Sequence, residues 1–95
     1  MMKTAAYVLV NVEPGSGSRV RQEIMQRESV SFIGLVTGPY DLIVGVSVAD
    51  NEALGSLVSD IRKIDGVIET LTSVVVGWEA GPDRITPQGD VIGPP

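Results

Sequence analysis

The sequence predicts an α+β sandwich, a four-stranded antiparallel sheet with two helices on one face, in the order β-α-β-β-α-β. Three observations carry that expectation. Two aliphatic, β-branched runs meet at the polar corner Thr37-Gly38-Pro39-Tyr40-Asp41, the pattern of a hairpin. Leu54, Leu57, Val58, Ile61 and Ile64 recur at the spacing of one helical face. Strand-like runs at residues 6–12 and 67–76 open and close the pattern, with a shorter helical repeat after the first.

Residues 6–12 are β-branched and aliphatic apart from Tyr7 and Asn11, and Glu13-Pro14-Gly15-Ser16-Gly17 stops them. Ser18 is placed to cap a first helix over residues 19–27, its hydroxyl accepting from an orphan amide of the first turn. Val20 and Ile24 lie four apart on one face and Met25 widens it, leaving Arg19, Gln22, Glu23 and Gln26 toward water. Residues 30–37 and 40–48 are the hairpin strands around Gly38-Pro39. Asp50 caps the second helix, Glu52 suits the positive end of its dipole, and Arg62 and Lys63 suit the negative end. Gly66 then ends it. Residues 67–76 supply the fourth strand. Beyond Trp78 the composition turns to Gly81-Pro82-Asp83, Thr86-Pro87-Gln88-Gly89 and Gly93-Pro94-Pro95, so a folded domain over residues 1–78 is expected, followed by an irregular Pro/Gly-rich tail over 79–95. Trp78, Ile85, Val91 and Ile92 are the residues there able to latch onto a neighbour.

Right-handed crossovers place both helices on the same face of the sheet. The hairpin runs are apolar at odd and even positions alike, so the other face also requires cover. It is expected to carry residues from sets such as Tyr7 and Leu9, Ile33 and Leu35, Ile43, and Leu71 and Val75. A patch of that kind exceeds the few hundred Å² a soluble monomer typically exposes. A domain of this length buries only roughly 60–65% of its unfolded surface, so self-association is a useful supplement. The ferredoxin-like sheet is therefore expected to close against a second copy, as a dimeric α/β barrel.

Composition removes several functions. The chain has no cysteine and no histidine, which excludes disulfides, thiolate chemistry, the usual zinc sites and the commonest general base. Net charge is −5, and Lys3, Arg19, Arg21, Arg27, Arg62, Lys63 and Arg84 form no dense stripe, which argues against direct contact with nucleic acid. The first apolar run is cut by Asn11 and Glu13, short of a signal peptide, and no segment approaches the roughly 20 apolar residues of a membrane span. A cytoplasmic protein without membrane contact is expected.

No nucleophile and base pair, paired-acid constellation or phosphate loop is present in the pattern, so no catalytic residue and no metal ligand is assigned. Asp50 and Glu52 have capping roles, and Asp60 and Glu23 fall on wet helix faces. Gly15-Ser16-Gly17 could cup an anion at a helix N-terminus, but it lacks the lysine of a phosphate loop and reads as a plain loop. At the hairpin tip, Gly38 permits unusual backbone geometry and Pro39 lacks an amide donor, leaving carbonyls and amides free beside Tyr40 and Asp41. Two roles are open for Asp41: a turn carboxylate bonded to nearby amides, or a group that helps the tip's backbone hold the ammonium and carboxylate of a small zwitterion. Thr70, Thr72 and Ser73 pose the same choice between strand propensity and ligand contact.

Taken together, four pieces resemble the effector-binding half of the Lrp/AsnC family, also called the RAM domain. They are Ala6-Tyr7-Val8-Leu9-Val10-Asn11-Val12-Glu13-Pro14-Gly15, Val36-Thr37-Gly38-Pro39-Tyr40-Asp41-Leu42-Ile43-Val44, Ile61-Arg62-Lys63-Ile64-Asp65-Gly66-Val67 and Thr70-Leu71-Thr72-Ser73-Val74-Val75-Val76. The resemblance implies a dimeric α/β sandwich that assembles further, commonly into tetramers of dimers. It also implies small effectors, often amino acids, bound between dimers at a Gly-x-Tyr/Phe-Asp hairpin. Carried onto this chain, that names Gly38, Tyr40 and Asp41, with Pro39 at the variable position and Thr70 and Thr72 as contacts from the last strand. Full-length members carry an N-terminal helix-turn-helix domain, whereas only Met1 to Ala5 precede the first strand here. The resemblance is thus to a stand-alone effector domain, with a full-length relative as a candidate partner.

The leading expectation is a non-enzymatic, homo-oligomeric regulatory domain that senses a small molecule, without a cofactor. The alternative is a small dimeric α/β barrel enzyme, such as a cofactor-free monooxygenase or an isomerase; the missing histidine and cysteine weigh against it. A purely structural interaction domain is the third reading.

Overall fold

The computed structural model describes residues 3–77. In chain order they form β1 (Thr4–Val12), α1 (Gly17–Met25), β2 (Val30–Leu35), β3 (Leu42–Val48), α2 (Asn51–Arg62) and β4 (Val67–Val74). The strands make one antiparallel sheet in the order β2-β3-β1-β4. This is the expected split arrangement, with the first and third strands central and the helices on one face.

The register sorts each strand into two faces, because directly opposed residues share a face. One set of rows runs Val30–Val46–Ala6–Val74, Ile33–Val44–Val8–Thr72 and Leu35–Leu42–Val10–Thr70. Its central members are fully buried, and they form one core with Val20 and Ile24 of α1 and with Leu54, Leu57 and Ile61 of α2. The opposite face carries the rows Phe32–Gly45–Tyr7–Ser73 and Gly34–Ile43–Leu9–Leu71. No helix of the described residues lies over it. Ile33 and Leu35, expected as possible members of this bare face, belong instead to the helix side. The cause is a bulge between Val30 and Phe32, which resets side-chain alternation along β2.

Phe32 and Gly45 fit together on the open face. A Cβ on Gly45 would overlap Phe32 Cε2, so the ring rests directly on the backbone that glycine leaves bare. Tyr7 flanks it with a tilted ring 6.1 Å away. The two aromatics and the missing side chain form one packing unit in the middle of the sheet.

Both helices have their expected faces, with different ends. Asp50 caps α2 through a bond from Ala53 N–H to Asp50 Oδ1 at 2.8 Å, and Glu52 and Arg62 complement the dipole at either end. α1 starts at Gly17 rather than residue 19, with Ser16 and not Ser18 at the N-cap position and no side-chain cap bond. The turn from Glu13 explains this: Ser16 N–H donates to Glu13 O and Val20 N–H to Ser16 O, so the chain enters the helix directly from that turn. Met25 is half exposed and does not widen the buried face, which is closed by Val20 and Ile24 alone.

Gly66 joins two loops rather than capping α2, whose C-cap is Lys63. Its φ of +102° suits glycine, its carbonyl accepts from Glu13 N–H at 2.8 Å, and a Cβ there would meet Ser16 and Arg19 at about 3 Å. The β1–α1 and α2–β4 connections are thereby pinned together, with Arg19 bridging to Glu23 and Asp65. The hairpin strands stop at Leu35 and resume at Leu42, so the connection spans residues 36–41, longer than the expected Gly38-Pro39 corner. The expected tail over residues 79–95, and the latch residues Trp78, Ile85, Val91 and Ile92, lie outside the described residues.

Candidate functional site

The hairpin connection is tied down at one point, Asp41. Its backbone N–H donates to Val10 O at 3.0 Å and its carbonyl accepts from Val36 N–H at 3.0 Å. Its carboxylate Oδ2 accepts from Val12 N–H at 2.9 Å. The side chain therefore satisfies an amide at the end of β1, 29 residues away, rather than one in its own turn. The local turn role left open for Asp41 is thus replaced by a long-range structural bond. It does not displace the ligand-holding role, because a carboxylate offers two oxygens and Asp41 is solvent-exposed.

Asp41 borders a cleft of about 430 Å³ between the β1–α1 loop and the end of the hairpin. Val12, Pro14, Leu35 and Val36 give it apolar walls, and Glu13 adds a second carboxylate. Among the described residues no lysine or arginine lines it. Two acids without a base produce a negative potential that favours a cationic group of a small ligand. The involvement of Glu13 and the β1 end was not visible in the sequence, since it arises from the Asp41–Val12 bond across distant segments.

Among the described residues, none of the other site candidates, Gly38, Pro39, Tyr40, Thr70 and Thr72, lines this cleft. Gly38 and Pro39 are exposed at the tip, Gly38 with φ +136°, and Tyr40 is half-buried. Thr70 opposes Val10, the residue whose carbonyl receives the Asp41 amide, so it lies at the same end of the sheet across β1. Two strand spacings, roughly 10 Å, separate its row position from β3. Thr72 lies further in and lines a different groove, of about 810 Å³, between α2 and β4. Within a single chain the hairpin and Thr72 thus serve separate surfaces. Among the described residues there is no group of three or more acidic, histidine or cysteine side chains able to hold a metal ion. No helix of the described residues is long and apolar enough to cross a membrane.

Comparison with known proteins agrees with this architecture. The chain is similar to an uncharacterized HTH-type transcriptional regulator of Pyrococcus horikoshii, PH1916, with 35% identity over 75 residues, covering 75% of this chain and 50% of that protein. It spans about half the length of the curated relatives it matches. Among solved structures, TTHA0845 of Thermus thermophilus superposes with a TM-score of 0.73 at 30% identity, covering 83% of this chain and 98% of that one. Escherichia coli AsnC superposes with a TM-score of 0.74 at 19% identity, covering 87% of this chain and 55% of that one, a likeness of fold. The profile of the Lrp/AsnC ligand binding domain matches residues 5–77, nearly the whole described fold, and the chain belongs to that family.

Proposed function

We propose that this domain is a non-catalytic receptor for a small molecule bearing an ammonium group, an amino acid in the first instance, and that binding regulates transcription through the state of assembly. The observation that carries the reading is the Asp41 carboxylate, fixed by Val12 N–H at the mouth of a cleft that holds Glu13 and, among the described residues, no basic one. Its Oδ1 is the acceptor for the ammonium, while free backbone groups of Gly38, Pro39 and Tyr40 receive the polar remainder. Leu35, Val36 and Pro14 give an aliphatic side chain somewhere to lie. Membership of a ligand-binding family supports recognition without a reaction, and the names of the matched relatives support a role in transcription.

Two features favour a site completed by other copies of the chain. Asp41 and Thr72 border different cavities within one chain, so a small ligand touching both needs a second chain to bring them together. The open face of the sheet, with Phe32, Tyr7, Leu9, Ile43 and Leu71, favours closure of two sheets into a dimer. Ligand then sits between dimers, alone or in mixed assembly with a full-length relative in the cytoplasm. It acts by binding one assembly state more tightly than another, since equal affinity would shift nothing.

Native mass spectrometry of freshly purified protein, with and without a panel of amino acids, tests this directly. The expected result is a mass increment of one ligand per chain and a redistribution of oligomers for at least one member of the panel. No increment in the spectra, no heat in calorimetry and an oligomer distribution unmoved by every ligand would together overturn it.

A further inference from the structure

The groove between α2 and β4 has a feature the sensing role does not use. Val74 shares a face with fully buried Ala6, yet it is 47% exposed, because α2 leaves the outer edge of β4 uncovered. Leu54, Val58 and Val74 form its apolar wall beside Thr72, and Arg62 and Lys63 supply cations. Among the described residues, no carboxylate lines it and neither cation joins an ion pair.

We infer that this groove is the docking site of residues 78–95 of the same chain. Three observations select that occupant. The first is continuity: Val75 N–H still donates to Ala5 O at 2.8 Å, and Val74 is itself part of the groove wall, so residue 78 starts within roughly 13 Å of it. The second is charge, since residues 78–95 carry Glu79, Asp83 and Asp90 against the single Arg84, and the groove presents only Arg62 and Lys63. The third is composition, in which Trp78, Ile85, Val91 and Ile92 match the apolar wall. From Asn51 to Lys63 the helix rises roughly 18 Å, a length that about six extended residues span. Four prolines in the segment reduce the conformational freedom lost on docking.

The natural chain has no cysteine, which makes cross-linking selective. Full-length variants would pair Ser59→Cys, on the groove wall, with Ile85→Cys or Val91→Cys, and a control would pair Gln22→Cys on α1 with the same partners. Mild oxidation should close an intrachain disulfide in the Ser59→Cys pairs on the order of tenfold faster than in the controls, because docking raises the effective concentration. It is read as retained monomer mobility on a non-reducing gel and confirmed by peptide mapping. Adding Arg62→Glu and Lys63→Glu should lower that rate severalfold, with far-UV circular dichroism unchanged. Equal rates in the Ser59→Cys and Gln22→Cys series, disulfides formed only between chains, or a rate indifferent to the charge reversal would each overturn the assignment.

Discussion

A methyl group at position 45 would enter space already filled by Phe32. An ideal Cβ there falls 2.5 and 2.8 Å from two ring atoms and closer still to a third, whereas carbon atoms in favourable contact sit about 3.5–4.0 Å apart. The backbone of β3 is fixed by ladders on both sides, so in Gly45→Ala the ring must yield. Phe32 is 42% exposed. If the ring swings away, the buried remainder of its surface, on the order of 100 Å², returns to water at about 25 cal/mol per Å², or roughly 2.5 kcal/mol. Contact with Tyr7 adds about 0.5–1.5 kcal/mol to that loss. Replacing glycine by alanine within a strand returns about 0.5–1 kcal/mol. Since a partial slide retains some contact, the net expected cost of Gly45→Ala is about 1–2 kcal/mol. In a Phe32→Ala background the same substitution meets no ring and should instead stabilise by about 0.5–1 kcal/mol. A double-mutant cycle from urea unfolding, at one fixed protein concentration so that association is held constant, measures the difference. An identical effect of Gly45→Ala in both backgrounds would refute the reasoning that the ring rests on this glycine.

Four further outcomes follow from the same geometry. Asp50→Ala removes the acceptor of the Ala53 amide and should cost about 1 kcal/mol in thermal or urea unfolding, with Asp50→Ser close to the parent. Gly55→Ala places a methyl where nothing lies within 4 Å and should stabilise α2 by about 0.5–1 kcal/mol; a loss on unfolding would contradict that reading of its surroundings. Asp41→Ala should cost about 1 kcal/mol through the lost Val12 bond, whereas Asp41→Asn keeps an acceptor and most of that stability but loses at least tenfold in affinity for the amino acid in calorimetry. Leu71→Glu puts a charge on the open face and should shift sedimentation toward the monomer, whereas the unaltered chain should sediment as a dimer or larger.

The legible parts of the fold were those with strong local signals. The α2 face could be read from Leu54, Leu57 and Ile61 because a helix buries residues at a fixed local spacing, and its cap could be read because Asp50 acts three residues away. The start of α1 was less legible. The local pattern points to Ser18 as the cap, yet Ser16 takes that position, because Glu13 and Gly66 tie the loop to a turn some fifty residues later. Similarly, alternation in β2 was misread beyond Val30 because a bulge leaves no sure mark in composition.

At the candidate site the division is sharper. The identity of the tip, Gly38-Pro39-Tyr40-Asp41, and the presence of Thr70 and Thr72 on the last strand are properties of the sequence alone. So are the element order, the absence of cysteine and histidine, and the excess of apolar residues that calls for cover on both faces of the sheet. Only tertiary structure decided that Asp41 grips the amide of Val12, that Glu13 joins it in one cleft, and that Thr72 opens toward α2 instead. The reason is range. Periodicity and caps act within one or two turns of chain, whereas a cleft is set by strand register, and register depends on how all four strands and both helices bury their faces at once.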